Sequence, residues 1–444
     1  MIYEISDVMI NGIIAELSVP SRLDVKNTLA PVTAILDRLD HPELKFPSIH
    51  VGGTSGKGST STFIANILGA AGYKVGLFTK PHLSSVRERF VINGRLISQE
   101  DIVDLLDRVA SYIDNKPTWF ELLTALAFQY FYDQQVDIAV IEVGLGGTYD
   151  ATNVLIPELS VLTNVGLDHT EILGDTVEKI AADKVGIIKA GKPVVSGVSQ
   201  PSVIEILKNR CDQIGARLKL LGRDFSYSNC LQTINGSQFS FEMDDEFYPD
   251  LELSVLGLHQ ITNASLALAS IKGLKQSGYR VSDPALRNAL ELTHVPGRME
   301  VIGSNPIILI DGAHSPPKMG ALSQGIRTLF SGKRRVIGVL SFSKGHDAAS
   351  SLSSLASILN FAIFTEFNVD TDYGSRRAQD VNELVHIMAK LNSATEIYSQ
   401  PDPYKALQLA LDLADTDDLI CITGSMFLVG QIRTFILQSN KETP

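Results

Sequence analysis

Cysteine is scarce in this chain of 444 residues. The three, Cys211, Cys230 and Cys421, stand far apart and form no CxxC pair. That excludes a disulfide framework or a cysteine zinc site and fits a reducing compartment. Positive charge is also short: 38 Lys and Arg against 50 Asp and Glu leave a net charge of −12. Such a balance argues against non-specific binding to nucleic acid, and any acidic substrate must then be held by local Arg and Lys clusters. No apolar run reaches the ~20 residues of a membrane helix. The amino-terminal MIYEISDVMINGIIAELS lacks the basic region and long apolar core of a secretion signal. Repeats and low-complexity tracts are absent. A cytoplasmic protein without membrane or nucleic-acid partners is expected. What is present is ordinary globular composition, 44% hydrophobic, at a length that suits two or three domains.

The most informative stretch is His50 to Thr60, HVGGTSGKGST. It follows the apolar run FPSIHV and opens onto STFIANILGAAG, which has helical spacing. Strand, glycine-rich turn and helix form the context of a phosphate-binding loop. Gly53, Gly56 and Gly58 let the backbone fold around an oxyanion, and the helix start turns its N–H groups and dipole toward that anion. Lys57 can reach outer phosphates, and Ser59 or Thr60 can offer a hydroxyl to magnesium. The spacing departs from the standard loop, because Gly58 stands between the lysine and the hydroxyl residues.

Around this loop the chain alternates strand and helix. Residues 1–45 read as amphipathic helix interrupted at Pro20 and Pro31. KVGLFT, VDIAVIEVG and LSVLTNVG read as buried strands, RFVINGRLIS as a hairpin with an Asn-Gly turn, and SQEDIVDLLDRVASYI, TWFELLTALAFQYFYD and GLHQITNASLALASIKGLK as helices. Right-handed βαβ units follow, with ligands at the carboxyl ends of the strands. Residues 222–257 predict a small antiparallel appendage. HVPGR (294–298) has the punctuation of a linker, and strand–helix alternation then restarts. The expected division is residues 1–296 and 297–444, and the second part has no phosphate loop.

Several residues at these edges could carry chemistry. Glu142 ends a strand, where nucleotide enzymes place a metal-binding carboxylate; the bland alternative is a solvated acid. His169 falls on the same edge and is either a ligand or structural, since magnesium prefers oxygen. Lys184 on composition alone is a solvated helix lysine. Asp311 and His314, in LIDGAHSP, could orient one another and share protons with an incoming amine. Arg298, Lys344 and the Arg376–Arg377 pair are candidate anion clamps or solvated charges.

HVGGTSGKGST, TKPHLSSVRERFVINGRLIS, IEVGLGGTYDATN, TNVGLDHTEILGDTVEKIAADKVGIIK, GLHQITNASLALA, VPGRME, DGAHSP and GSMFLVGQIR together resemble the folylpolyglutamate synthase and dihydrofolate synthase family of the Mur ligase superfamily. The likeness runs from about residue 20 to the carboxyl end. It implies an α/β fold: a P-loop-containing, Mur-ligase-like central domain with the nucleotide and pterin/folate site, then a carboxyl-terminal Rossmann-like α/β domain binding glutamate. It implies ATP, a pair of Mg2+ ions, K+ and a carbamylated Lys184. Gly53, Thr54, Ser55, Gly56, Lys57, Gly58, Ser59 and Thr60 would hold ATP. Asn263, with Gln260 and His259 beside it, would meet the adenine. Ser59, Glu142, His169 and Lys184 would face metal. Arg298, Asp311 and His314 would close on phosphate and substrate, Asp150 would touch the pterin, and Ser425 would lie near glutamate. His314 with Asp311 is the expected acceptor of the amine's proton, and closure about Val295–Arg298 is expected to complete the site. A monomer acting on dihydropteroate or reduced folate and L-glutamate is implied.

The chain departs from the family in places. Lys80 stands where the family has a magnesium-binding serine, Ser55 and Ser315 replace asparagines, and Thr148-Tyr149 replaces a basic residue before DATN. Other readings are a Mur-type ligase for another carboxylate, an ATP-binding regulatory protein that has lost catalysis, and a plain P-loop kinase.

Overall fold

The computed structural model describes residues 6–19, 28–114, 116–371 and 374–442. They form two compact units. One holds the described residues through Thr293 except Gln232–Ser237 and Ser254–Leu258; the other holds those two stretches and His294 onward.

The first unit is built on an eight-stranded sheet. Its strands are β1 (Ser48–Gly52), β2 (Val75–Phe78), β3 (Val91–Ile92), β4 (Arg95–Leu96), β5 (Ile138–Glu142), β6 (Leu159–Leu162), β7 (Pro193–Ser196) and β8 (Arg217–Leu220), in the spatial order β4-β3-β2-β5-β1-β6-β7-β8. From β2 to β8 every pairing is parallel. β1 and β5 are buried at every position, as an apolar run covered on both faces requires. The β3–β4 hairpin turns through Asn93 and Gly94, both at positive φ, as the Asn-Gly pair predicts.

On one face a large core gathers helix Trp119–Asp133 with Ile10, Ile14, Val32 and Leu36 of the amino-terminal helices Asp7–Leu17 and Ala30–Arg38. Thr118 and Glu121 cap the Trp119 helix reciprocally. Pro31 does not interrupt a helix; it occupies the first turn of Ala30–Arg38, where its missing N–H removes no bond. Pro20 lies outside the described residues. β9 (Phe225–Thr233), β10 (Gly236–Met243) and β11 (Glu246–Leu253) make the expected separate sheet. The short links between them allow only antiparallel hairpins.

The second unit has a six-stranded sheet. β12 (Glu300–Ser304), β13 (Ile307–Ile310), β14 (Val336–Leu340), β15 (Phe361–Phe364), β18 (Glu396–Ser399) and β19 (Leu419–Thr423) are ordered β12-β13-β19-β14-β15-β18, and a two-strand hairpin, β16 (Asn368–Thr371) and β17 (Gly374–Arg377), stands apart. Only β12 runs antiparallel to its neighbour in the six-stranded sheet.

Candidate active site

In the first unit β2, β5, β1 and β6 are adjacent and parallel, so the segments that follow them share one sheet edge. The loop after β1 is clamped by the loop after β6. Thr54 N–H donates to Asn164 O (3.0 Å), Ser55 N–H to Asn164 Oδ1 (2.9 Å), and Thr163 Oγ1 to Ser55 O (2.7 Å). Two glycines are sterically required. Gly53 has φ +139° and a Cβ there would meet Thr163 Oγ1 at 1.9 Å; Gly56 has φ +80° and its Cβ would meet Asn263 Oδ1 at 2.3 Å. Gly56 is followed directly by the helix Lys57–Ala70, whose first N–H groups therefore face the loop.

Lys57 and Lys184 converge, each donating from Nζ to Gly53 O at 3.1 Å. Lys184 is only 4% exposed, which corrects the reading of a solvated helix lysine. Burial, then the nearby charge of Lys57, pushes its pKa down to about 7. Burial likewise lowers Lys57, against the opposing pull of Glu142. Glu142 is buried rather than solvated, with Oε2 accepting from Lys80 N–H at 2.9 Å and lying 3.3 Å from where a Cβ on Gly58 would stand. Lys80 Nζ lies 6.0 Å from the centre of the Phe120 ring.

His169 has a left-handed backbone and faces Asp168 (3.9 Å) and Glu171 (3.7 Å). Its basicity is lowered first by burial. Among the described residues no three His, Cys, Asp or Glu side chains are grouped to cage a metal. The buried Glu142 beside Gly58 of the loop instead fits magnesium shared with substrate phosphates and water, the usual arrangement for that ion. Asn263 Nδ2 donates to Gln260 Oε1 at 2.9 Å, and Gln260 Nε2 is a buried donor with no partner among the described residues. Asp150 holds its own loop: Leu145 N–H donates to Oδ2 (2.7 Å) and Thr152 N–H to Oδ1 (3.1 Å).

In the second unit Asp311 follows β13 and Ser425 follows the adjacent parallel β19. The expected pairing of Asp311 with His314 is not formed. Both Asp311 oxygens are taken by backbone, Oδ2 by Met299 N–H (2.8 Å) and Oδ1 by Ala313 N–H (2.7 Å). His314 turns Nδ1 to Gly312 O (2.8 Å) and Nε2 to Lys318 Nζ (3.1 Å). Burial, then the Lys318 charge, drops its pKa to about 3. Arg298 Nη1 lies 3.1 Å from where a Cβ on Gly312 would stand. Ser425 is buried, and its Oγ accepts from Phe427 N–H at 3.2 Å. Lys344 N–H donates to Arg377 O at 3.0 Å, which joins the β14 loop to the β17 strand.

Sequence reading passed over Asn164 and Thr163, which shape the loop from 108 and more residues away. It also passed over His50 and Thr152, joined at 2.7 Å. The one signal for His50 was a polar residue inside the apolar run FPSIHV.

A phosphate loop on one α/β unit, with a second parallel α/β unit after it, is the architecture of a Mur-type ligase. Residues 51–271 match the Mur ligase middle domain and residues 297–426 the Mur ligase, glutamate ligase domain. The chain is 33% identical over 421 residues to the dihydrofolate synthase/folylpolyglutamate synthase of Bacillus subtilis, covering 93% of this chain and 95% of that one. It superposes on a Mycobacterium tuberculosis folylpolyglutamate synthase complexed with ADP and AMPPCP with TM-score 0.86 and 30% identity, over 97% and 99% of the two chains. For E. coli FolC in complex with DHPP and ADP the TM-score is 0.84 at 26% identity, over 97% and 98%. The chain belongs to the folylpolyglutamate synthase and dihydrofolate synthase family.

Proposed function

We propose that the protein is an ATP-dependent ligase that joins L-glutamate to dihydropteroate, to reduced folylpolyglutamate, or to both. The acceptor's carboxylate attacks the γ-phosphorus of ATP, forming an acyl phosphate and releasing ADP. The glutamate amine then attacks the acyl carbon, phosphate leaves, and an amide forms. The observation that carries this reading is the convergence of Lys57 and Lys184 on the Gly53 carbonyl beside the buried Glu142, over a helix start.

In this reading the loop N–H groups and Lys57 bind and orient the phosphates, so that the first step is chiefly positioning and electrostatics. Magnesium, held by Glu142 and Ser59 with His169 nearby, would offset phosphate charge. Lys184 is suited to carbamylation: at pKa about 7 much of it is the neutral amine that can add CO2. The product is an anion where two lysines now crowd one carbonyl. Asn263 and Gln260 receive the adenine edge, and Asp150 faces the pterin. Arg298, Asp311, His314 and Ser425 serve the glutamate side on residues 297–444. His314, with Nε2 facing Lys318 rather than Asp311, is the group offered to the amine's proton. Potassium dependence, a monomeric state and a cytoplasmic site complete the proposal; among the described residues no helix is long and apolar enough to cross a membrane.

The test is ADP release by the purified protein with ATP, L-glutamate, Mg2+ and K+, comparing dihydropteroate with tetrahydrofolate. Turnover with either supports the reading and names the acceptor. ATP binding without turnover on both would overturn it in favour of a regulatory protein.

A further inference from the structure

We propose that His50 is a positioning residue for the pteridine acceptor, acting through the Thr152 hydroxyl to fix the Asp150 carboxylate. The proposal rests on the reading that Asp150 faces that acceptor.

His50 lies inside β1, fully buried between Ile49 and Val51, with Ile141 and Ser160 as its cross-strand partners. Its Nε2 is 2.7 Å from Thr152 Oγ1, and that oxygen is 2.5 Å from Asp150 Oδ1. The direction of the chain is determined. Thr152 gives its single hydroxyl hydrogen to Asp150 Oδ1, so the threonine oxygen must accept from His50 Nε2–H. His50 Nδ1 is then a buried acceptor without a partner among the described residues. Burial holds the imidazole neutral, with its pKa lowered to about 3, so this proton arrangement persists through the working pH range.

An unpaired buried nitrogen costs stability that an apolar residue would not. Ile49 and Val51 show what the strand otherwise selects. The histidine makes physical sense if the orientation of Asp150 matters more than that cost. Asp150 and an aromatic ring stand together: a Cβ on Gly144 would meet Asp150 Oδ2 at 2.8 Å and Cε1 of Phe120 at 2.4 Å.

The experiment is steady-state kinetics with dihydropteroate or tetrahydrofolate as varied acceptor, on the full chain with ATP, L-glutamate and Mg2+. His50→Leu should raise the acceptor KM about tenfold, the scale of one net hydrogen bond, with the KM for ATP unchanged. His50→Gln, whose Nε2–H can reach Thr152, should restore most of the loss. Thr152→Val should reproduce His50→Leu and decides the matter if that variant fails to fold. Asp150→Asn separates the two claims. If it leaves the acceptor KM unchanged, Asp150 does not face the acceptor and both claims fall. If Asp150→Asn weakens acceptor binding but neither His50→Leu nor Thr152→Val does, the positioning role alone is overturned. A parallel rise in the ATP and acceptor KM values, unrescued by glutamine, would also overturn it, because His50 would then merely support the phosphate loop.

Discussion

Replacing Lys184 by Met should make the protein more stable and inactive at once. Burial lowers the lysine from 10.5 to about 7. At about 1.4 kcal/mol per pKa unit, that is about 5 kcal/mol of destabilisation when the group is held protonated. Methionine fills nearly the same volume without the charge. The substitution loses one hydrogen bond to Gly53 O, worth about 1 kcal/mol, and that carbonyl keeps its bond from Lys57. A net gain of about 2–4 kcal/mol at pH 7 follows, or roughly 5 °C or more in the melting of the loop-bearing unit.

The gain must depend on pH in one direction. Below about pH 7 the lysine is protonated in both native and unfolded chains, and the cost of burying it is complete. Between pH 7 and 10.5 the native lysine is increasingly neutral while the unfolded one stays charged, so wild type recovers about 1.4 kcal/mol per pH unit against the variant. Calorimetry of both proteins, free of nucleotide, magnesium and bicarbonate, from pH 7 to 9.5 reads this directly. A variant less stable than wild type at pH 7, or a melting difference that does not shrink as pH rises, would refute the reasoning.

Three further outcomes are expected. Gly56→Ala places a Cβ 2.3 Å from Asn263 Oδ1 at φ +80°, so the native protein should lose about 1–2 kcal/mol of stability, and the KM for ATP should rise as the loop shifts to relieve the clash. Lys318→Met removes the cation facing His314 Nε2; the His314 pKa, followed by NMR, should move up from about 3, and no movement would show that burial alone sets it. A thiol reagent should label one cysteine quickly in the native protein, the exposed Cys230, and three after denaturation, since Cys211 and Cys421 are buried.

Much of the fold was legible because it is written in local pattern. The loop from Gly53 to Thr60, the β-branched runs of β1 and β5, the Asn93-Gly94 turn and the restart of alternation after residue 298 each signal themselves within about a dozen residues. Strand order was not legible, since periodicity reports that a strand is buried on both faces and not which strand lies beside it. The site divided in the same way. Glycines and Lys57 could be placed from spacing, whereas Lys184 looked solvated because nothing in AADKVGIIK reveals that its helix points back at Gly53, 131 residues earlier.

The error over Asp311 and His314 has a more general physical source. Two residues three apart in DGAH look like a proton-sharing pair, yet a carboxylate at a strand end stands among backbone N–H groups left open where the ladder stops. Those donors are nearer than any side chain, and Met299 and Ala313 take both oxygens. The same competition explains Asp150, whose loop N–H groups from Leu145 and Thr152 occupy it. Glu142 Oε2 accepts from Lys80 N–H and lies beside Gly58. Acids in the loops after these strands therefore meet backbone donors first. Asp311 and Asp150 gain precise orientation from theirs. Glu142 differs in its place: its Oε2 lies beside Gly58, at the start of the phosphate-loop helix.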